Sequence, residues 1–394
     1  MIRYNNITAF TSVYLGNQLI SKVYSSDKQV FPSSTPPTPS YSGQYLTFVA
    51  QSDGTFKFSG NSIDYSLDGG ATWTTLASDT NSPTVSAGSK ILWKATLTPN
   101  GSIGIGTFSS TANFTVEGNV MSLLYGDNFV GQTDLSGKDY AFRNLFSGCT
   151  TVTNAENLSL PATTLANFCY DAMFRGCTSL TTAPELPATT LGVDCYAMMF
   201  EGCINLTTAP SVLPATTLAD YCYLYMFGNC TNLTTEPSLP ATTLASNCYE
   251  GMFMACTSLT TAPQLPATTL TTKCYRYMFQ SCINLTTAPS VLPATTLASN
   301  CYEGMFSNCS SLTTAPQLPA TTLVTECYLQ MFKTCTNLNN ITCLATDISA
   351  SNCTKNWVFG VAANGTFTKA SSMNRWGTCG TSKIPCGWTV VDNT

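Results

Sequence analysis

The amino-acid sequence predicts an α/β solenoid, with one helix and one short parallel strand in each repeat of 26 or 27 residues, preceded by all-β structure. Three observations predict it. Between residues 160 and 335 nearly the same motif occurs seven times: Leu-Pro-Ala-Thr-Thr-Leu, three residues, Cys-Tyr, two residues, Met-Phe, two residues, Cys, then Leu-Thr-Thr. A period of this size marks stacked units, each burying its apolar face only against its neighbours. Upstream of the repeats, apolar and polar residues alternate in short runs between turn residues. Charged side chains make up 9% of the 394 residues, against roughly 25% in ordinary soluble domains, and Thr, Ser, Asn and Gly take their place.

The elements follow in order. Residues 1–33 alternate around a hairpin signal at Gly16-Asn17 and form an N-terminal β anchor segment. Residues 34–41 are a Pro-rich, semi-rigid linker. Residues 42–125 read as a β-sandwich domain with strands at Leu46-Thr-Phe-Val, Thr55-Phe-Lys-Phe, Ile91-Leu-Trp-Lys and Phe114-Thr-Val. Asp53-Gly54 and Asn100-Gly101 serve as hairpin signals there. Ser66-x-Asp68-x-Gly70-x-Thr72-Trp73 resembles the Asp-box hairpin turns of sialidases, where the motif is structural and remote from the chemistry. A connector at 126–140 leads to the solenoid at 141–353, and residues 354–394 form a C-terminal cap.

Within one repeat, turning each residue by 100° from Cys301 places Cys301, Met305 and Cys309 at about 0°, 40° and 80°, with Tyr302 and Phe306 beside them. The positions that differ between copies fall on the other side, so the pattern predicts an amphipathic helix capped by Thr296. Leu312-Thr-Thr-Ala then predicts a short parallel strand stopped by Pro316. The expected core columns are Cys169, Cys195, Cys222, Cys248, Cys274, Cys301 and Cys327, with Met173, Met199, Met226, Met252, Met278, Met305 and Met331. Phe142, Leu145, Phe146 and Cys149 form a partial first copy. Cys353 lies in a degenerate last one, followed by Trp357, Trp376 and Trp388.

Nineteen cysteines invite a disulfide framework, yet the number is odd. Two cysteines eight residues apart on a helix are separated by about 12 Å, beyond the roughly 7 Å that a disulfide spans. Zinc is disfavoured by the spacing and by the lack of any histidine. Buried thiols filling core columns are the favoured reading, with bridges between adjacent repeats left open.

The same lack of histidine removes Ser-His and Cys-His nucleophile pairs. The acids Glu185, Asp194, Glu201, Asp220, Glu250, Glu303 and Glu326 sit at scattered positions, so the chain is read as a non-enzyme without cofactor or metal. A net charge of −5 without a basic run speaks against nucleic acid. No window approaches 18 continuous apolar residues, so no membrane insertion is expected. The best candidates for a binding face lie where copies diverge: Tyr221, Tyr225, Lys273, Arg276 and Tyr277, aromatic and cationic groups suited to sugar. The N-terminus lacks a secretory pattern, which suggests either a trimmed chain or release by lysis, as for a virion component.

The motif Cys-Tyr-x-x-Met-Phe-x-x-Cys-Thr-Ser-Leu-Thr-Thr-Ala-Pro resembles the BspA-like leucine-rich repeat proteins of Bacteroides-type gut bacteria, over about residues 141–353. The resemblance extends to the closing Ile384-Pro-Cys-Gly-Trp-Thr-Val-Val. It implies a solenoid of leucine-rich-repeat type and a surface adhesin or, for copies carried by phages, a virion appendage. Many bacterial members carry an export signal. The expectation is therefore a phage structural protein, a head or tail fibre or decoration of a crAss-like phage. It would dock on other virion proteins through residues 1–31 and present its repeats to a host-surface glycan or protein. A bacterial cell-surface adhesin is the alternative, a glycan-processing enzyme a weaker one, and homo-oligomerisation is left open.

Overall fold

A computed structural model describes residues 43–393, together with the backbone of four short strands further upstream. Those strands are β1 (Tyr14–Leu15) paired antiparallel with β2 (Gln18–Leu19), and β3 (Val23–Ser25) paired antiparallel with β4 (Lys28–Phe31). The Gly16-Asn17 turn, the 34–41 linker and the rest of the 1–33 anchor lie outside the described residues. Residues 1–38 and 39–394 form separate compact units.

The second unit begins with alternating apolar runs that become β5 (Leu46–Ala50), β6 (Phe56–Gly60), β7 (Ile63–Ser66), β8 (Thr74–Leu76), β9 (Lys90–Lys94), β10 (Gly106–Ser110) and β11 (Phe114–Asn119). Their order in the larger sheet is β11-β5-β9-β7-β8, all antiparallel, while β6 and β10 pair separately. Phe48 sits at the centre, with ring centroids of Phe56, Phe108 and Phe114 at 5.4, 4.8 and 4.7 Å. Two expected hairpins are corrected. Asp53-Gly54 joins β5 to β6, which enter different sheets, and Asn100-Gly101 opens a 3-10 turn at Gly101–Ile103. A tight hairpin needs flanking strands that pair, and neither connection has them.

The sheet does not stop where the repeats begin. β11 also pairs in parallel with β12 (Val152–Asn154) and β13 (Leu158–Ser159), both from the partial first copy. The Phe108 ring stacks on Phe146 at 5.7 Å, and Phe146 on Phe174 at 5.1 Å. One hydrophobic core thus runs from Leu46 to Trp388.

The repeats stack, but their predicted helices are absent. Among the described residues the one α-helical segment is the single turn α1 (Ser122–Tyr125). Each Cys-Tyr-x-x-Met-Phe-x-x-Cys segment is instead a chain of overlapping four-residue turns. In one coil the amides of Ala197, Met199, Glu201 and Cys203 donate three residues back, to the carbonyls of Asp194, Tyr196, Met198 and Phe200. The alternate amides of Tyr196, Met198, Phe200 and Gly202 donate to Cys222, Leu224, Met226 and Gly228 of the next coil, at 2.7–3.0 Å. An α-helix would consume all these donors internally. Here half of them weld one coil to the next. The geometry requires a positive φ at every fourth residue, as at Asp194 (52°), Met198 (52°) and Gly202 (74°). For residues other than Gly this costs about 1–2 kcal/mol each. Consequently Thr296 caps no helix; it forms a parallel bridge with Thr269.

The Leu-Thr-Thr-Ala strands shrink to single parallel bridges such as Thr182 with Thr208 and Thr261 with Thr287. The proline that follows each of them, such as Pro184 or Pro263, stops a longer ladder. A threonine ladder compensates: Thr181, Thr207 and Thr234 each donate both their amide and their hydroxyl to the carbonyl of the equivalent residue one coil earlier. Extended strands return only at the far end, where β14 (Asn340–Cys343), β15 (Thr366–Ala370) and β16 (Thr389–Asn393) lie parallel in that order. There Trp357 stacks beneath Trp376 at 5.5 Å, and its indole N–H donates to the Lys383 carbonyl within a loop closed by a Cys379–Cys386 disulfide.

Candidate functional site

Inside the stack the repeated side chains form columns. Tyr170, Tyr196, Tyr223, Tyr249, Tyr275 and Tyr302 stack face to face at 5.5–5.9 Å. The Phe column from Phe174 to Phe332 keeps 5.5–5.8 Å. Each buried aromatic ring contributes about 1.5–3 kcal/mol relative to exposure.

The first-column cysteines (Cys169, Cys195, Cys222, Cys248, Cys274, Cys301, Cys327) and the methionines (Met173, Met199, Met226, Met252, Met278, Met305, Met331) are all buried. Seventeen cysteines are free thiols and two form the cap disulfide, which accounts for nineteen. The second cysteine of each repeat has a polar task that sequence reading missed. Cys203, Cys230, Cys256 and Cys282 donate S–H to the carbonyls of Phe174, Phe200, Phe227 and Phe253 in the preceding coil, at 3.0–3.1 Å. Those carbonyls already accept the amide of their own coil, so the thiol fills the second lone pair. Burial pushes the Cys274, Cys282 and Cys335 thiols up to about 12. They stay protonated at neutral pH and supply no thiolate nucleophile.

The outward positions form columns of their own, and the candidate binding residues belong to them. Tyr221, Tyr225, Lys273 and Tyr277 all occupy positive-φ turn positions, with φ between 48° and 57°. Tyr221 is 38% exposed; Lys273, Arg276 and Tyr277 are partly buried. The Tyr225 ring lies on Gly251 of the next coil and the Tyr277 ring on Gly304, where in each case a Cβ would overlap it. The column therefore alternates large and small: Tyr225, Gly251, Tyr277, Gly304.

Beside it runs an alternating charge column. Arg276 bonds Glu250 at 3.2 Å on one side and Glu303 at 2.8 Å on the other, and its guanidinium stacks over Tyr277 at 4.4 Å. Tyr277 donates its hydroxyl to Glu303 at 2.7 Å. Burial and this contact push the phenol up to about 12. Burial works against the Arg276 charge, but Glu303 outweighs it and holds the pKa above the usual value. Asn247 bonds Glu250, and Asn300 bridges Glu303 and Glu326 at 2.8 and 2.9 Å. The structure thus brings Arg276 and Tyr277 together, holds Tyr225 two coils away, and adds Glu250 and Glu303 as their partners. Comparing every second copy of the motif would have exposed both alternations.

In the β domain, the Asp68 carboxylate accepts from the Ser66 hydroxyl, the Thr72 amide and the Thr72 hydroxyl at 2.6–2.9 Å, which lowers its pKa. The Asp-box acid is thereby spent on closing the β7–β8 loop. Among the described residues no group of three or more Cys, Asp or Glu side chains is placed to hold a metal ion. No helix there is long and apolar enough to cross a membrane.

Known proteins resemble the part of the chain just described. Residues 140–286 and 222–353 match the BspA type leucine rich repeat region, in six copies. No curated protein matches the chain. A crystal structure of a leucine-rich repeat protein from Bacteroides ovatus ATCC 8483 is similar at 12% sequence identity over 72% of this chain and 95% of that one, with a TM-score of 0.26. With more than half of its 394 residues inside the repeat match, the chain belongs to the BspA-type leucine-rich repeat family.

Proposed function

We propose that this protein is a non-catalytic adhesive scaffold, displayed on a surface so that the outward columns of its repeats meet a glycan or protein of a host cell. One observation carries the reading: the inward Cys, Tyr, Met and Phe columns are invariant and sealed, while the copies diverge between them, at positions such as Tyr221, Tyr225, Lys273 and Tyr277 that reach the surface. A stack of this kind offers an extended face whose side chains change without disturbing the core.

Its surface is that of a virion in the first reading, as a head or tail fibre or decoration, with residues 1–31 as the docking segment. Seventeen buried free thiols support assembly in a reducing cytoplasm followed by release through lysis. Export through an oxidising compartment would expose the unfolded thiols to mispairing. The second reading is a bacterial cell-surface adhesin, in keeping with the family. Mass spectrometry of gradient-purified particles and of surface-shaved cells from the producing culture separates the two. Presence in the particles is expected. Presence on shaved cells alone moves the assignment to the second reading, and presence in neither overturns surface display.

A further inference from the structure

The copies differ at one inward position in a way that the outward columns do not explain. Five repeats place alanine before the first proline of the turn: Ala183, Ala209, Ala262, Ala288 and Ala315. Four of these are 3–7% exposed. A sixth repeat writes Thr-Thr-Glu-Pro and puts Glu236 there, and the last, degenerate in this stretch, has Ile341. Burial raises its carboxyl above the usual range, and among the described residues no cation pairs with it. A carboxylate substituted into an alanine slot without a partner destabilises the stack unless something else uses it.

Glu236 lines a groove of about 490 Å³ spanning three coils. Its other polar groups are Ser211, Ser238 and Gln264, and Pro240 and Pro263 supply apolar ring faces. The coil before carries one extra residue, Val212, which bridges Ser238 and offsets the turns. Ser211 is tied to Glu185, its hydroxyl donating at 2.9 Å, so that wall is held in place.

We propose that this groove is a binding subsite for a neutral saccharide. The hydroxyls of the sugar would donate to the Glu236 carboxylate and exchange hydrogen bonds with the Gln264 amide, while one apolar ring face rests on the prolines. The volume is in the ordinary range of ligand pockets, roughly 300–1,000 Å³. A carboxylate and an amide facing hydroxyls form charge-assisted and neutral hydrogen bonds together. The inference rests on the adhesive reading above and gives it a ligand class and an address.

The test uses the full chain, saturation-transfer NMR and neutral gluco-, manno-, galacto- and xylo-oligosaccharides, with chitosan oligomers as the cationic comparison. Glu236→Ala restores the residue found in five of the other copies, so it is expected to fold and to melt no lower than the wild type. Wild type is expected to bind at least one neutral oligosaccharide, and both Glu236→Ala and Gln264→Ala to weaken that binding at least tenfold. No binding by wild type, equal binding by Glu236→Ala, or preference for chitosan overturns the subsite. Adherence to Bacteroides-type cells, measured in parallel, keeps the two readings apart. Adherence that survives Glu236→Ala, without saccharide binding, overturns the groove alone, and its absence in wild type overturns the adhesive reading.

Discussion

The β domain and the repeat stack solve the same problem in opposite ways. In the first, strands close hydrogen bonds with partners in a varied order, and Phe48 gathers rings from β6, β9, β10 and β11 around one point. In the second, every ring meets only its equivalents one coil away, and alternate amides cross the same gap. The first is a knot of dissimilar contacts; the second is a column of identical ones. Loss of a contact at a knot is felt throughout the domain. In a column the interface is broken at one level, and the two halves retain their own neighbours.

Paired substitutions break or sharpen that contrast. Phe48→Ala and Phe253→Ala each remove a fully buried ring, at a cost of about 3–5 kcal/mol. Urea unfolding followed by amide hydrogen exchange is expected to show a β domain losing protection as one unit for Phe48→Ala. For Phe253→Ala, protection falls first in the coils around residue 253 and survives toward Trp357. If Phe253→Ala lowers protection evenly along all coils, the stack behaves as a knot and the contrast fails.

The alternating column gives the next largest effect. Gly251 has a φ of 61°, and an added Cβ overlaps the Tyr225 ring. Gly251→Ala is expected to cost about 2 kcal/mol, combining left-handed strain with the displaced ring. Adding Tyr225→Ala removes the overlap and recovers part of the loss, a coupling read from a double-mutant cycle of melting curves. Strict additivity would show that the tyrosine does not rest on the glycine.

Cys256→Ala removes a buried thiol and its bond to the Phe227 carbonyl. The carbonyl keeps its amide donor from Cys230 of its own coil, so the expected loss is about 1 kcal/mol, most of it packing. Cys256→Ser keeps a donor in place. Chemical denaturation is expected to rank serine at or above alanine, and the reverse order would reduce the thiol column to filler.

How much of this was legible follows from the motif itself. Cys169, Met173 and Cys177 recur every four residues, as do Tyr170 and Phe174. On a helix each such step drifts by about 40°, whereas a four-residue turn keeps each column straight. The amphipathic pattern identified the buried face, and its period, read strictly, favoured turns. The second signal was the frequency of Gly and Asn just before the first cysteine and four and eight residues later. Gly176, Gly202, Asn229, Asn247 and Gly304 are examples, at positions where φ is positive. Glu236 was also readable, as the single charged residue at its position among the copies. The contact of Phe108 with Phe146 was not, because it joins two segments with no shared pattern.

The smallest predicted effect has the opposite sign. Asp194 occupies a turn position with a φ of 52°, and its carboxyl is raised from 3.8 to about 6 by burial, then by Asp171 and Asp220. The folded state therefore holds this proton more tightly than the unfolded chain does. Its stabilising share is complete below about pH 4 and is lost as the pH rises toward 6. Above that, the half-exposed charge is a net burden of about 1 kcal/mol once solvent screening is allowed for. Asparagine tolerates the same backbone and carries no charge. Asp194→Asn is thus expected to match wild type in urea at pH 4 and to exceed it by about that amount at pH 7. A difference that does not change between the two pH values would show that Asp194 is solvated like any surface acid. The acidic edge of the stack would then impose no electrostatic strain on it.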